Sequence, residues 1–228
     1  MAGPRVAAIV PARNEASRIS ATVAALRSIG EIGEVIVVDD GSADQTRRLA
    51  TEAGARTIRV DHRLGKGAAL ALGASQTDAE ILLFADADLA ETAREARRLI
   101  EPILAGTADL AIASLPRREG PSGFGLVEGA ARWGIRALTG RATERPLSGQ
   151  RAMRREVLGA VSPLAYGFGV EVGMTVDALR AGFRVIEVAC DMDHARTGRT
   201  LEGFAHRARQ GAHVGAALLK RVARKGVR

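Results

Sequence analysis

Residues 81–90 read ILLFADADLA, an apolar run that ends in two carboxylates one residue apart, Asp86 and Asp88. The run ILLFA predicts a buried β-strand. A charge beside an apolar core is costly unless something pairs with it. At strand spacing both side chains would point to the same side, where one divalent ion could bind them, because Mg²⁺ and Mn²⁺ prefer oxygen ligands. A solvated turn or a helix N-terminus is the alternative explanation of the two acids.

The rest of the first half repeats this pattern of short apolar runs. The other runs with strand character are VAAIV (6–10), EVIVVD (34–39), TIRV (57–60) and LAIAS (110–114), and segments with helical spacing of apolar residues separate them. Residues 42–45 and 92–95 have the capping-box pattern that opens a helix. Alternating strands and helices predict βαβ units, and therefore an α/β fold with a mainly parallel central sheet flanked by helices.

Polar clusters directly follow four of the runs. They are PARNE (11–15), DDGS (39–42), DHRLGKG (61–67) and the pair Asp86 and Asp88. Because ligands bind at the carboxyl ends of parallel strands, these clusters predict one binding site at one edge of the sheet. The GKG segment lacks the spacing of a P-loop, and no G-x-G-x-x-G follows the first run, which argues against a dinucleotide oxidoreductase.

The second half is less regular. Helices are predicted at 126–138 and 169–182, a strand at 183–190, and a strand or turn running into a helix at 148–158. Residues 201–224 predict a basic, Ala-rich helix.

Composition limits the classes of partner and compartment. A net charge of +7 and a pI of about 10.8 attract polyanions. Aromatic residues make up only 3%, too few to stack on the bases of nucleic acid, so nucleic acid is not expected as a partner. The single cysteine, Cys190, lies in an apolar run, is expected to be buried, and fits a reducing compartment. No apolar run is long enough to span a bilayer and no signal-peptide pattern is present, so we expect a cytoplasmic protein.

The basic C-terminal helix allows three interpretations. Its apolar residues stand among many cations; they are Phe204, Val214, Leu218, Leu219 and Val222. This mixture suits a helix that lies on anionic lipid, which would place the protein peripherally at the inner face of the membrane. The helix could equally pack on its own domain with the basic face in water, or bury its apolar stripe against a second subunit in a homodimer.

Four motifs together carry a resemblance to a known family. PARNE, VVDDGSADQT, GKGAAL and FADADL, in this order and spacing, resemble the nucleotide-sugar half of family 2 glycosyltransferases with the GT-A fold. Two groups of that family look similar: the polyprenyl-phosphate sugar transferases (dolichol-phosphate mannosyltransferase type), and the glucosyl-3-phosphoglycerate synthases, which share PA-x-NE and GVE-x-G. The resemblance implies a single GT-A domain over residues 1–228. Its nucleotide-sugar-binding half would cover 4–115, its acceptor half 116–200, and the basic C-terminal helix 201–228.

The resemblance also implies a role for each matching residue. The nucleoside pocket would be lined by Pro11, Ala12, Arg13 and Glu15, with Asp40 holding the base and Lys66 close to it. Asp86 would contact the ribose or a metal-bound water, and Asp88 would ligate Mg²⁺ or Mn²⁺. In the second half, His194 would supply a metal ligand or phosphate contact, and the phosphate or acceptor contacts would come from Ser148, Arg151, Arg196 and Arg199. Glu171 would face the acceptor, as a carboxylate base if the acceptor is a hydroxyl group.

These roles imply a metal-dependent transfer of a sugar from a nucleotide-diphosphate sugar to a phosphorylated acceptor. Polyprenyl phosphate is the acceptor we expect first, and a small phosphorylated acceptor, as in the glucosyl-3-phosphoglycerate synthases, is the alternative. Two other classes compete. A nucleotidyltransferase would open with a Gly-rich loop, where this chain has PARNE. A basic nucleic-acid-binding protein would leave the four strand-end aspartates unexplained.

Overall fold

The computed structural model describes residues 5–115, 125–165, 167–193 and 201–223. Within them, seven strands form one sheet in the order β3-β2-β1-β4-β6-β5-β7. The strands are β1 (Val6–Ala12), β2 (Ile32–Asp39), β3 (Arg56–Arg59), β4 (Ile81–Phe84), β5 (Leu110–Ser114), β6 (Arg151–Arg154) and β7 (Val185–Ala189). Only β6 runs antiparallel to its neighbours, so the mainly parallel α/β sheet predicted from the sequence is confirmed.

Helices cover both faces of this sheet. They are α1 (Ile19–Arg27), α2 (Thr46–Glu52), α3 (Lys66–Ser75), α4 (Arg97–Leu104), α5 (Gly125–Thr139), α6 (Arg155–Val161), α7 (Val170–Arg180) and α8 (Leu201–Ala223). A 3₁₀ helix (Ala90–Ala96) leads into α4 and a 3₁₀ turn (Gly167–Gly169) into α7. One apolar layer lies under α1 and α4, and a second lies under α3, α6 and α7. Small residues bring the layers close, since a Cβ on Gly73 of α3 would collide with Ile9 of β1.

Both predicted capping boxes are wrong. Helix α2 begins at Thr46, and the carboxylate of Asp44 accepts hydrogen bonds from that residue, whereas the hydroxyl of Ser42 accepts one from the main chain of Asn14. Thr92 lies inside the 3₁₀ helix rather than at its start. In both places tertiary contacts compete for the side chain that a local rule assigns to the helix end.

The C-terminal helix packs on the rest of the chain. Val214 and Ala217 are buried, and Arg221 is almost inaccessible and pairs with Asp177 of α7. A Cβ on Gly173 of α7 would meet the Arg221 guanidinium, so the two helices depend on a glycine for their close approach. This favours the interpretation in which α8 packs on its own domain, although other apolar side chains of the helix remain exposed.

Cys190 follows β7 directly and is buried, as expected from its apolar run, and its burial raises the pKa of the thiol to about 11. In the described part of the chain, no helix combines the length and apolarity needed to cross a membrane.

Candidate active site

The carboxyl ends of the parallel strands bring the predicted residues to one edge of the sheet. Ala12 at the end of β1 is paired in register with Asp39 at the end of β2, and β4 lies on the other side of β1. The residues that leave these strands therefore come together, and the main-chain N–H of Asp40 donates to the carbonyl of Ala12 at 2.9 Å. Pro11 and Ala12 are the last two residues of β1 at this edge. Pro11 is partly buried, Ala12 is buried, and the Arg13 side chain that follows them is exposed.

Asp86 is the centre of a charged network. Its Oδ1 lies 2.7 Å from Nζ of Lys66, and Nζ lies 2.9 Å from Oε1 of the buried Glu171. Burial acts to lower the pKa of Lys66, but the two carboxylates outweigh it and hold the pKa above its ordinary value. Lys66 therefore stays an ammonium that joins α3, the end of β4 and the first turn of α7.

The glycine between Ser148 and Gln150 allows this network to be covered closely. A Cβ on Gly149 would lie 2.5 Å from Nζ of Lys66 and 2.9 Å from Oδ2 of Asp86. Because real Cβ atoms do not approach so near, any other residue at 149 would require the side-chain ends of Lys66 and Asp86 to shift.

Asp88 lies in a turn that helix α1 fixes. The strand ends at Phe84, so Asp86 and Asp88 follow β4 rather than extend it, and the strand-spacing argument for their common direction does not apply. Arg18 donates to the main-chain carbonyl of Asp88 at 2.6 Å. The buried Thr22 donates to the carbonyl of Ala87 and accepts from the N–H of Ala90, both at 2.8 Å. Ala90 itself has a φ of 49°, so this turn is held in the left-handed region by its contacts.

Glu15 adds a third carboxylate to this edge. Partial burial raises its pKa to about 7, and the negative charges of Asp88, Asp86 and Asp44 add to that effect, with Arg18 opposing it. The charges of Asp86 and Asp88 therefore both contribute to the electrostatic environment of Glu15. A concentration of negative charge with oxygen donors is an environment that Mg²⁺ or Mn²⁺ neutralises.

We expect Glu15→Gln to change how stability depends on pH in metal-free buffer. The folded-state pKa of Glu15 lies above the unfolded value, so the folded protein binds more protons between about pH 4.5 and 7, and stability falls as pH rises through this window. In the glutamine variant, the free energy of unfolding should decrease by about 1 kcal/mol less over this window than in the wild type. This value allows for the partial exposure of Glu15. Urea denaturation at pH 5.5, 7 and 8.5 measures it, with the exposed Glu52→Gln as control. Parallel pH profiles for the wild type and Glu15→Gln would contradict the shift.

Asp40 is buried and holds the chain that leads into α3. Its two oxygens accept hydrogen bonds from the main-chain N–H groups of Leu64 and Gly65, at 2.6 and 2.9 Å. Gly65 has a φ of 86° and precedes Lys66, so Asp40 fixes the turn that aims the Lys66 side chain. Its contact with a nucleotide base stays a prediction.

The structure does not bring Arg151 to the open edge. The side chain is 1% exposed, and its three nitrogens donate to the carbonyls of Ser148 and Pro146 and to the hydroxyl of Thr175. Burial lowers the pKa of Arg151 to about 10, with Glu171 and Glu187 opposing that effect, so it remains charged at neutral pH. Its observed contacts are those of a scaffold for the 146–148 segment, rather than of an exposed phosphate clamp. Ser148 is buried as well.

Three predicted residues, His194, Arg196 and Arg199, lie outside the described residues. Within the described ranges, no group of three or more His, Cys, Asp or Glu side chains is arranged to hold a metal ion. The candidate oxygen ligands at this edge are the carboxylates of Asp86 and Asp88, with Glu15 nearby. Mg²⁺ commonly binds through one or two carboxylates, with waters and substrate phosphates completing its shell, so these residues fit such an ion.

A cavity of about 740 Å³ lies at the carboxyl ends of β5 and β7, on the same edge of the sheet but away from Asp86. Its lining includes Arg98, Arg132 and Arg145. Glu128 pairs with the second and third of these arginines, and Glu95 pairs with the first. The cavity is therefore not a strongly cationic site.

Sequence reasoning missed Thr22 and Gln150. Thr22 falls on the apolar face of α1, in register with Ile19 and Leu26, and a hydroxyl on a buried face needs a partner. That signal could have identified Thr22. Gln150 carried no such signal, because its partner Asp86 is distant in sequence and only the sheet brings the two together.

The family comparison agrees with this geometry. Residues 7–158 match the family model described as Glycosyl transferase family 2. A glucosyl-3-phosphoglycerate synthase of Mycobacterium tuberculosis (strain ATCC 25618 / H37Rv) is 31% identical over an alignment of 199 positions, and the match covers 77% of this chain and 61% of that protein. Glycosyltransferase AglD of Haloferax volcanii is 32% identical over an alignment of 211 positions, and the match covers 84% of this chain and 34% of that one. The chain thus spans less than two thirds of the length of these relatives.

Solved structures extend the likeness to almost the whole chain. Glucosyl-3-phosphoglycerate synthase from Mycobacterium tuberculosis in complex with Mg²⁺ and UDP has a TM-score of 0.83 at 28% identity, covering 96% of this chain and 79% of that one. The same enzyme with Mn²⁺, UDP-glucose and phosphoglyceric acid has a TM-score of 0.80 at 31% identity, covering 96% and 80%. The GT-A fold that the resemblance implied is therefore confirmed.

Proposed function

Because the chain belongs to glycosyl transferase family 2, we propose that it transfers a sugar from a nucleotide-diphosphate sugar to a small phosphorylated acceptor. UDP-glucose and a phosphoglycerate are the first candidates, since a solved structure of similar fold contains both. The observation in this chain that carries the proposal is the ion-pair network of Asp86, Lys66 and Glu171, which lies beside the turn of Asp88 at the carboxyl edge of the sheet.

Mg²⁺ or Mn²⁺ is the cofactor we propose, with Asp88 as its ligand and Asp86 beside it. His194 is a further proposed ligand on the strength of the family resemblance alone. When bound, such an ion neutralises the charge that develops on the departing nucleoside diphosphate.

The protein's own groups position the donor. We assign the nucleoside to the pocket of Pro11, Ala12, Arg13 and Glu15. Asp40 lies beside this pocket, because its main-chain N–H donates to the carbonyl of Ala12. A preorganised site of this kind lowers the barrier by holding the reacting groups in place before the reaction begins.

Glu171 has a different role from the base considered from the sequence. Its carboxylate is buried and lies 2.9 Å from the Lys66 ammonium. The carboxylate is therefore held in an ion pair with a cation of the chain itself. We therefore assign Glu171 as the counter-ion that aims Lys66 at the donor side, rather than as the proton acceptor.

The acceptor differs from the one expected first. The mycobacterial relatives are glucosyl-3-phosphoglycerate synthases, so they support the small phosphorylated acceptor rather than polyprenyl phosphate. Family membership likewise favours glycosyl transfer over the nucleotidyltransferase and nucleic-acid-binding alternatives.

The test is a donor and acceptor panel with purified protein and Mn²⁺. We expect UDP-glucose and 3-phosphoglycerate to give a glucosylated phosphoglycerate, detected by mass spectrometry, and EDTA to stop its formation. If the protein instead uses GDP-mannose or polyprenyl phosphate, the family assignment stands and the proposed donor or acceptor is replaced. An absence of transfer with every pair, together with no stabilisation by any nucleoside diphosphate, would refute the proposal.

A lipid-linked acceptor remains a second candidate because of one surface. Trp133 on α5 is 75% exposed, and Leu219 and Val222 on α8 are 70% and 54% exposed. Gly134 of α5 packs against Leu218 of α8, so the exposed side chains lie on neighbouring helices. Apolar side chains on a basic helix suit an anionic bilayer.

Flotation with phosphatidylglycerol vesicles tests this second candidate, with phosphatidylcholine vesicles and Trp133→Ser as controls. Flotation with the anionic vesicles alone, lost in the variant, would support peripheral membrane contact. Sedimentation as a dimer, disrupted by the same substitution, would instead assign the surface to a second copy of the chain.

A further inference from the structure

The segment that enters β6 lies against the acid at the end of β4. Strand β6 runs antiparallel to β4, with Arg151 opposite Phe84. The residue that precedes β6 therefore lies beside the residues that follow β4. This topology brings Gln150 to Asp86 across 64 positions of sequence, and its Nε2 donates to Oδ2 of Asp86 at 2.7 Å.

Both polar atoms of the Gln150 side-chain amide form hydrogen bonds, and so does its main-chain carbonyl. The side chain is 0% exposed, and its Oε1 accepts a hydrogen bond from the hydroxyl of Ser148 at 3.3 Å. Its main-chain carbonyl accepts from the N–H of Ala113 in β5 at 3.0 Å. Arg151 in turn fixes the carbonyl of Ser148 at 2.9 Å. An amide so restrained has one orientation available to it.

The two oxygens of Asp86 thus have different partners. Oδ1 faces the Lys66 ammonium, and Oδ2 faces the neutral amide of Gln150. A neutral donor fixes the direction of a carboxylate without bringing a second positive charge to it, so the acid keeps its negative charge for a cationic or hydroxyl-bearing ligand.

We propose that Gln150 is a positioning residue for the donor site, which sets the direction of the Asp86 carboxylate. The proposal rests on the proposed function and deepens it. In this proposal Ser148 orients Gln150, and Gln150 orients Asp86. The role of residues 148–150 then differs from the phosphate contact that the resemblance implied.

The test compares Gln150→Leu and Gln150→Glu with the wild type. Leucine keeps most of the volume and removes the donor, and glutamate places a second carboxylate opposite Oδ2. We expect the KM for the sugar nucleotide and the Mn²⁺ activation constant to rise 10- to 100-fold, the range typical of groups that orient metal-site ligands. The KM for the acceptor should stay within about twofold, and glutamate should be the more harmful change, because like charges repel.

A purely structural role would give a different pattern. It would lower the thermal midpoint and leave the ratio of donor to acceptor constants unchanged, so thermal midpoints are recorded for both variants. Gln76→Leu, at an exposed glutamine near the end of α3, is the matched control and should behave as wild type.

The two proposals can fail separately. If Mn²⁺ and UDP stabilise the wild type and both Gln150 variants equally, the positioning role is overturned and the proposed function stands. If no nucleoside diphosphate stabilises the wild type with Mn²⁺ and no donor and acceptor pair reacts, the proposed function is refuted and the positioning role falls with it.

Discussion

Replacing Asp88 by asparagine is expected to abolish metal-dependent nucleotide binding. Asparagine keeps the shape of the side chain but removes the negative charge that a divalent ion requires of its ligand. The wild type should be stabilised by UDP only when Mn²⁺ is present, by about 2.7 kcal/mol at a hundred times the dissociation constant. The variant should lose that stabilisation in a thermal-shift measurement. Its turnover should fall by about 100-fold or more, because a metal Lewis acid supplies several kcal/mol of transition-state stabilisation.

Asp61→Asn is the matched control for this prediction. Asp61 follows β3 near the same edge, but its side chain is 89% exposed and its carboxylate pairs with Arg59 on the surface. This variant should keep wild-type binding and turnover. The turn at Asp88 is fixed by Arg18 and Thr22 through main-chain groups, so Asp88→Asn should still fold normally. Metal-dependent stabilisation by UDP in the Asp88→Asn protein would exclude Asp88 as the essential ligand.

Replacing Lys66 by methionine is expected to have the largest effect on stability. Methionine retains the apolar stem and removes the ammonium, so Asp86 and the buried Glu171 lose their shared cation. Breaking a buried pair from one side costs about 3–5 kcal/mol. Because Lys66 and Asp86 are partly exposed, we expect about 2–3 kcal/mol at pH 7.5, measured by urea denaturation. Donor binding should also fall, since the cation beside Asp86 is gone.

The dependence on Glu171 separates this explanation from a simple packing defect. Adding Glu171→Gln to Lys66→Met should recover part of the stability, as expected for residues in contact. A Lys66→Met protein with wild-type stability, or a double variant less stable than Lys66→Met, would contradict the expected role of the ion pair.

The roles of single residues show where local reasoning stops. The 11–15, 39–42, 61–67 and 86–88 clusters could be assigned to one edge, because in a parallel sheet every strand ends on the same side. The partner of each polar group could not be assigned. Arg151 was expected at the acceptor, yet it is buried, and nothing in its neighbours SGQ and AMR signals that its donors serve the chain itself.

The sequence by itself determined the strand and helix order, the mainly parallel sheet and the edge at which the acids gather. Those features follow from the periodicity of apolar residues and from strand direction, which act locally along the chain. Only the tertiary structure decided that Lys66 joins Asp86 to Glu171, that Gln150 donates a hydrogen bond to Asp86, and that α8 packs on α7. The reason is physical. Buried charges and amides must find partners wherever the fold places them, and the antiparallel entry of β6 between two parallel strands brings together residues that no local pattern links.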